Sequence, residues 1–509
     1  MTRFAALALI GTLALGAASC NQTAEPPVAG ASSEIAWRQG DVEDALAEAK
    51  ETGKPVLLYW GAVWCPPCAQ MKSTLFKDPA FIAKTQDFIP VYLDGDTEGA
   101  QKWGEHFGAS GYPTVIALSP DGKEITRLSS ATMASELPAL LTLAAGRTRT
   151  IDAVLADARK DPKGLSAEDW KILAAFDWGN DPKRFENVDL GELLAKLAAA
   201  APDPALQRRF TLDAIGFAAE SDKDDNLVLT PAQAAQVAAI LPRVLASPVE
   251  VEAGESLLIY SAADLVSALP KGAERDALTT SLDATLARLH ADRANSLLDR
   301  TFALRSRVAL AEGTGTIGDP LKQEVRAWVA TVDREAKDEF ARKAVISYAA
   351  GALDMIGDRA GARKLLTAEA TNSRSGYYYM SILSDMAAED KDAKGAVEWA
   401  RKAYEASQGP ATRVQWAANY AMTVMEQTPK DKAAVAASAD AVLAELGKSD
   451  NSYFMRTRTS VERWGKAMAE WSAKNGGAEV LKATQGKLAT VCARQGNDAR
   501  ACGAAIKTA

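Results

Sequence analysis

The chain has 509 residues, roughly three domains' worth at about 150 residues each. Lys and Arg number 58 against 66 Asp and Glu, a net charge of −8 with a pI near 5.2, and no basic block occurs, which excludes nucleic acid as the main partner. With 48% hydrophobic and 24% charged residues the chain can bury a core, while its two histidines, His106 and His290, exclude a His-rich metal site and confine any protease triad to themselves.

Arg3 precedes an apolar run from Phe4 to Ala18. That run is short for a membrane span, which needs about 20 residues, and suits a secretory signal. Residues 1–19 are therefore expected to form a signal peptide and 20–33 a flexible tether without apolar periodicity. Ala17-Ala18-Ser19-Cys20 resembles a bacterial lipobox, in which Cys20 is lipidated, although Ala17 stands where such motifs usually hold Leu. Cleavage after Ala18, leaving a soluble product, is the alternative. No second apolar stretch is long enough to span, so the expected location is the periplasm or cell envelope, with membrane contact by a lipid anchor alone.

Residues 34–147 read as a small α/β domain. Asp41 to Thr52 is an amphipathic helix closed by Gly53-Lys54-Pro55, and Val56 to Trp60 is a continuous apolar run of buried-strand length. Trp64-Cys65-Pro66-Pro67-Cys68 follows and opens a helix. Phe88 to Leu93 is a strand, Thr97 to Phe107 a helix, and Gly111-Tyr112-Pro113-Thr114 opens the strand Val115 to Leu118. Ser119-Pro120-Asp121-Gly122 turns the chain into a hairpin partner, Lys123 to Leu128, and Met133 to Ala145 closes with a helix.

This stretch resembles the thioredoxin-like family, and in particular exported bacterial thiol–disulfide oxidoreductase domains and the C-terminal modules of membrane disulfide-interchange reductases. The W-C-x-x-C motif between strand and helix and the Gly-Tyr-Pro-Thr about 45 residues later carry the resemblance, which covers little over a fifth of the chain. It implies that Pro113 follows a cis bond beside the cysteines. A lone CxxC can also be half of a zinc site, but no second CxxC or nearby His supports metal here. No cofactor is implied.

At a helix N-terminus, free backbone N–H groups and the positive end of the dipole favour a thiolate, so Cys65 is expected to be the exposed nucleophile and Cys68 the more buried resolving thiol. Trp64 is expected to shield the pair, or simply to pack. Tyr112 and Pro113 are expected to flank the groove that takes substrate backbone, with an ordinary surface aromatic the alternative for Tyr112. Pro66 and Pro67 offer no N–H and no charge, which puts the pair toward the reducing end. Many thioredoxins hold a buried acid six residues before the first cysteine; Tyr59 stands there instead, leaving the proton route open.

From Ile151 onward no strand is expected. Ala-rich amphipathic segments alternate with breaks such as Asp161-Pro162, Gly179-Asn180, Asp319-Pro320 and Gly357-Asp358, so 148–335 reads as all-α and 336–509 as all-α and tetratricopeptide-like. Gly361-Ala362 recurs as Gly395-Ala396, an offset of 34 residues, and Ala434 to Leu446 is a drifted third copy; an irregular bundle is the rival reading. The aromatics Tyr377, Tyr378, Tyr379, Trp399, Tyr404, Trp416 and Tyr420 are read as core, with a concave peptide- or protein-binding face as the alternative. Asp222 to Asn226 echoes a calcium loop but lacks its sixth-place glycine and twelfth-place glutamate, and is read as a polar loop. Cys492 and Cys502 are expected to form a structural disulfide contributing roughly 2–3 kcal/mol, with a relay to Cys65 and Cys68 as the alternative.

The whole therefore reads as a multidomain chain, an α/β thioredoxin-like domain followed by a large all-α region. The expected function is envelope thiol–disulfide oxidoreductase, reducing protein disulfides and fed by a membrane electron donor. A helical binding scaffold with a vestigial redox domain, and a disulfide oxidase or isomerase, are the rivals.

Overall fold

The computed structural model describes residues 34–40, 42–109, 111–129, 137–147, 149–179 and 181–506; the expected signal peptide, tether and lipidation site Cys20 lie outside them. The first elements are β1 (Arg38–Gln39), α1 (Val42–Thr52), β2 (Val56–Gly61), α2 (Pro66–Ser73), α3 (Pro79–Thr85), β3 (Ile89–Asp94), α4 (Glu98–His106), β4 (Thr114–Leu118), β5 (Glu124–Ser129) and α5 (Leu137–Ala145). The helix α3 was not expected. Asp78 restarts the chain as its N-cap, accepting from Phe81 N at 2.7 Å, and Pro79 supplies a first-turn φ.

The five strands form one sheet in the order β1-β3-β2-β4-β5, with β1, β3 and β2 parallel and β4 and β5 antiparallel. β2 is central, and both of its faces are buried. Leu57 and Tyr59 point into a core shared with α2, α3 and α5, while Val56, Leu58 and Trp60 point into a second core shared with α1 and α4. This double burial explains why β2 reads as an unbroken apolar run rather than an alternating one. The register pairs Trp60 with Thr114, so the Tyr112–Pro113 turn is delivered beside the end of β2 from which the cysteine loop departs.

The first of these cores does not stop at residue 147. It runs on through Ile151, Leu155, Trp170, Leu173, Trp178 and Leu194 to Phe210 and Ala214. A buried ion-pair network reinforces the same seam. Arg127 on β5 is 0% exposed and meets Glu124 at 2.9 Å and Asp181 at 3.3 Å, and Arg184 bonds Asp181 at 2.7 Å and also Glu124.

Beyond it the described chain is helical with one exception to the expectation: Glu220–Ser221 pairs antiparallel with Leu227–Val228. Asp222 in the connecting loop accepts from Asp224 N, Asn226 N and Asn226 Nδ2, so its carboxylate is spent on the turn. Among the described residues no group of three His, Cys, Asp or Glu is placed to hold a metal.

The 34-residue echo has a physical cause. Asp358 and Asp392 are N-caps of the helices Arg359–Asn372 and Ala393–Ala406, accepting from Gly361 N at 3.1 Å and Gly395 N at 2.9 Å; a side chain on either glycine would strike the capping carboxylate. Ala350, Ala362 and Ala396 are buried on helices that each pair with their neighbours in sequence. Cys492 and Cys502 are disulfide-bonded and buried with Trp464 and Leu446, in a core that does not include Cys65 or Cys68.

Candidate functional site

β2 ends at Gly61, where a Cβ would come within 2.7 Å of Tyr59 Oη and 3.4 Å of Cys68 Sγ, so only glycine lets the phenol and the sulfur lie this close. Trp64 follows, and Cys65 is the N-cap of α2, with extended backbone and Pro66 at the first helical position. Cys68 N donates to Cys65 Sγ at 3.1 Å, and the two cysteines are disulfide-bonded. With prolines at the first two helical positions, the helix start aims a single N–H, that of Cys68, together with the positive end of the dipole at Cys65, which favours a thiolate once the bond opens.

The Tyr112–Pro113 peptide bond is cis. Tyr112 does not stand free on the surface. Its ring lies 4.4 Å from that of Trp60 and 5.9 Å from that of Trp64, and its hydroxyl donates to Gly95 O at 3.1 Å and accepts from Gln101 Nε2 at 3.1 Å.

The expected exposure of Cys65 is overturned. Cys65 is 2% and Cys68 1% exposed, because the helical region lies over the motif. Trp64 Nε1 donates to Thr412 Oγ1 at 3.1 Å, and its ring stacks on Tyr378 at 6.1 Å. Lys343, 3% exposed, donates to Val63 O at 3.0 Å. Gln70, one turn into α2, donates to Ser296 Oγ and Asp299 Oδ1 at 3.2 and 3.3 Å. From α4 and the loop before it, Gln101 Oε1 accepts from Arg456 N at 2.9 Å, Glu105 from Met455 N at 2.8 Å and Asp96 from Thr412 N at 2.8 Å. What remains above the disulfide is a pocket of about 330 Å³, lined in part by Trp64, Cys65, Pro67, Tyr112, Tyr378 and Arg456.

Electrostatics at the site also differ from expectation. Between the cysteines there is no cation, but Arg456 brings one from the carboxy-terminal region, its guanidinium 4.6 Å from the Trp64 ring and 5.0 Å from the Tyr112 ring. Burial raises the Asp96 carboxyl above its ordinary value, against the lowering pull of its Thr412 bonds and the Arg456 charge. Tyr59 is enclosed by Trp37, Phe76 and Tyr92, and its hydroxyl has no hydrogen-bond partner among the described residues. Burial holds this phenol well above its usual value, so Tyr59 stays neutral and cannot replace the absent carboxylate as a base toward Cys68.

A cleft of about 1060 Å³, walled by Leu140, Leu143, Trp170, Leu206 and Val249, is larger but contains neither cysteine. Chemistry, not volume, assigns the site to the smaller pocket. His290 is buried with Nδ1 2.8 Å from Arg300 O, and His106 packs on Trp103 and Phe107, so neither histidine joins the site. Of the residues expected to act, Trp64, Cys65 and Tyr112 meet at one pocket, with Cys68 and Pro113 buried alongside them. The contributions of Lys343, Thr412 and Arg456 were not foreseen. They are single polar residues in amphipathic helices and carry no motif.

Residues 42–145 match the family model of a thioredoxin-like domain. Similar curated proteins are thiol:disulfide interchange protein DsbD 1 of Pseudomonas aeruginosa, 31% identical over 85 residues, and DsbD of Actinobacillus pleuropneumoniae serotype 5b, 31% identical over 90. Each match covers 16% of this chain, and the chain spans 14% and 15% of the length of those two relatives. Among solved structures, a thioredoxin from Thermus thermophilus is 23% identical, with a TM-score of 0.22 over 26% of this chain and 99% of that one. A DsbH oxidoreductase is 17% identical, with a TM-score of 0.21 over 24% of this chain and 94% of its own. The chain carries a thioredoxin-like domain at 42–145, followed by a large helical region.

Proposed function

We propose that the protein is a thiol–disulfide oxidoreductase of the cell envelope that reduces protein disulfides through Cys65 and Cys68. The observation that carries this reading is the cysteine pair at the start of α2, beside the cis Tyr112–Pro113 turn. In the reduced state Cys65 thiolate attacks a substrate disulfide, forming a mixed disulfide and releasing one substrate thiolate. Cys68 thiolate then attacks Cys65 Sγ, releasing the second and forming the Cys65–Cys68 bond. Two electrons pass from the dithiol to the substrate, whose thiolates take up the two protons.

Direction follows from the environment. Burial disfavours the thiolate, and Pro66 and Pro67 give it no donors. A weakly stabilised thiolate makes a dithiol that gives up electrons readily, and in an oxidising envelope it needs an electron donor to recharge it. No helix of the described residues is long and apolar enough to cross a membrane. The apolar run from Phe4 and the Ala17–Cys20 sequence support export with lipidation at Cys20. Labelled fatty acid is then expected on the wild type and absent from Cys20→Ala; an unlabelled wild type beginning at Ser19 means the soluble form.

The burial of Cys65 favours a second reading, a scaffold whose redox pair is vestigial. Insulin reduction by the full chain, with dithiothreitol as donor, separates the two. Turnover well above that of Cys65→Ser supports the reductase, and equal rates support the scaffold.

A further inference from the structure

The pocket over Cys65 is assembled from both parts of the chain, and its one cation is underused. The backbone of Arg456 is fixed by Gln101, and its guanidinium lies against Trp64 and Tyr112. Arg456 Nη1 makes a long contact to Tyr112 Oη at 3.4 Å, while Nη2 is shut off from solvent and has no hydrogen-bond partner among the described residues. A buried guanidinium N–H without an acceptor is costly, so an anionic group that reached it would be held. Asp96, a carboxylate close enough to feel the Arg456 charge, is committed to Thr412 N and is not hydrogen-bonded to the guanidinium.

Size and access narrow what the ligand is. About 330 Å³ is the small end of the range for ligand sites, and with Cys65 2% exposed this closed arrangement suits a small molecule. A guanidinium fork matches a carboxylate, and the aromatic walls match an apolar stem.

The geometry points to a low-molecular-weight thiol bearing a carboxylate as the occupant of this pocket, its carboxylate on Arg456 and its sulfur at Cys65 Sγ. This inference rests on the redox reading of Cys65 and Cys68. The thiol, as thiolate, attacks Cys65 Sγ; a bond forms between the two sulfurs, the Cys65–Cys68 bond breaks, and Cys68 leaves as thiolate and takes the proton the incoming thiol gave up. A second molecule of the thiol attacks the sulfur of the first, leaving the protein dithiol and a small symmetrical disulfide. Two electrons enter the protein and two thiols are oxidised.

The test compares three thiols of similar size on the oxidised full chain: 3-mercaptopropionate, 2-mercaptoethanol and 2-mercaptoethylamine. Opening of Cys65–Cys68 is followed by mass after acid quenching and alkylation, with rates expressed per thiolate. The anionic thiol is expected to exceed the neutral one about tenfold, equivalent to about 1.4 kcal/mol, and the cationic one to fall below it. In Arg456→Gln the anionic-to-neutral ratio falls to about one. Equal rates for the three thiols in the wild type, or an unchanged ratio in Arg456→Gln, overturn the inference; the wild-type comparison stands even if the variant does not fold. Dithiothreitol, which has no carboxylate, reports the underlying reading separately: a Cys65–Cys68 bond that it cannot open overturns the redox reading, and this inference with it.

Discussion

Cys65→Ser lowers disulfide reduction by roughly three orders of magnitude or more, the scale on which removing a nucleophile acts, whereas Cys68→Ser accumulates a mixed disulfide. The asymmetry follows from α2. Cys65 is the N-cap and faces the pocket, while Cys68 lies one turn on, nearly sealed, beside the neutral Tyr59. Attack therefore occurs at Cys65, and without Cys68 nothing resolves the product. Mass spectrometry of each variant after exposure to a disulfide substrate reads this directly. Adducts on Cys68 in the Cys65→Ser chain, with none on Cys65 in the reciprocal variant, would reverse the assignment.

The second large effect is on stability. Glu124→Ala is expected to cost about 3–5 kcal/mol in urea unfolding of the oxidised chain, the range for breaking a buried ion pair from one side. Arg127 has no exposed surface, and Glu124 faces both it and Arg184. Without Glu124, Arg184 keeps Asp152 and Asp181 but Arg127 loses its nearer carboxylate, in a setting where a poorly compensated charge is expensive. The damage reaches the site, since Arg127 also holds the carbonyls of Phe107 and Gly108, just before the Tyr112–Pro113 turn. A loss under about 1 kcal/mol would mean that water, not Glu124, compensates Arg127.

The order of elements around the cysteines was legible because each carried a local signal. β2 is an apolar run, α2 opens with prolines, and the turn before β4 is marked by Tyr112-Pro113. The unforeseen α3 also had its signal, Asp78-Pro79, but its 7 residues are too few for a helical period to register. The strands at 220–221 and 227–228 are too short for any period to register. The cover over Cys65 left no trace of its own, since Trp64 meets Thr412 across 348 positions and Lys343 meets Val63 across 280. Tyr377, Tyr379 and Trp416 are core, as helical spacing suggests, while the less buried Tyr378 stacks on Trp64. A neighbouring aromatic on the same helix thus serves the site, and only the third dimension distinguishes it.

The reduction potential of the Cys65–Cys68 pair tests the account most directly. The full chain is equilibrated with glutathione buffers, and the oxidised fraction is read by mass after alkylation. Pro66 and Pro67 and the burial of Cys65 predict a value nearer the about −270 mV of thioredoxin than the about −120 mV of a strong periplasmic oxidant. A value above about −180 mV, where disulfide isomerases lie, would contradict the reductase and make the pair a donor of disulfides.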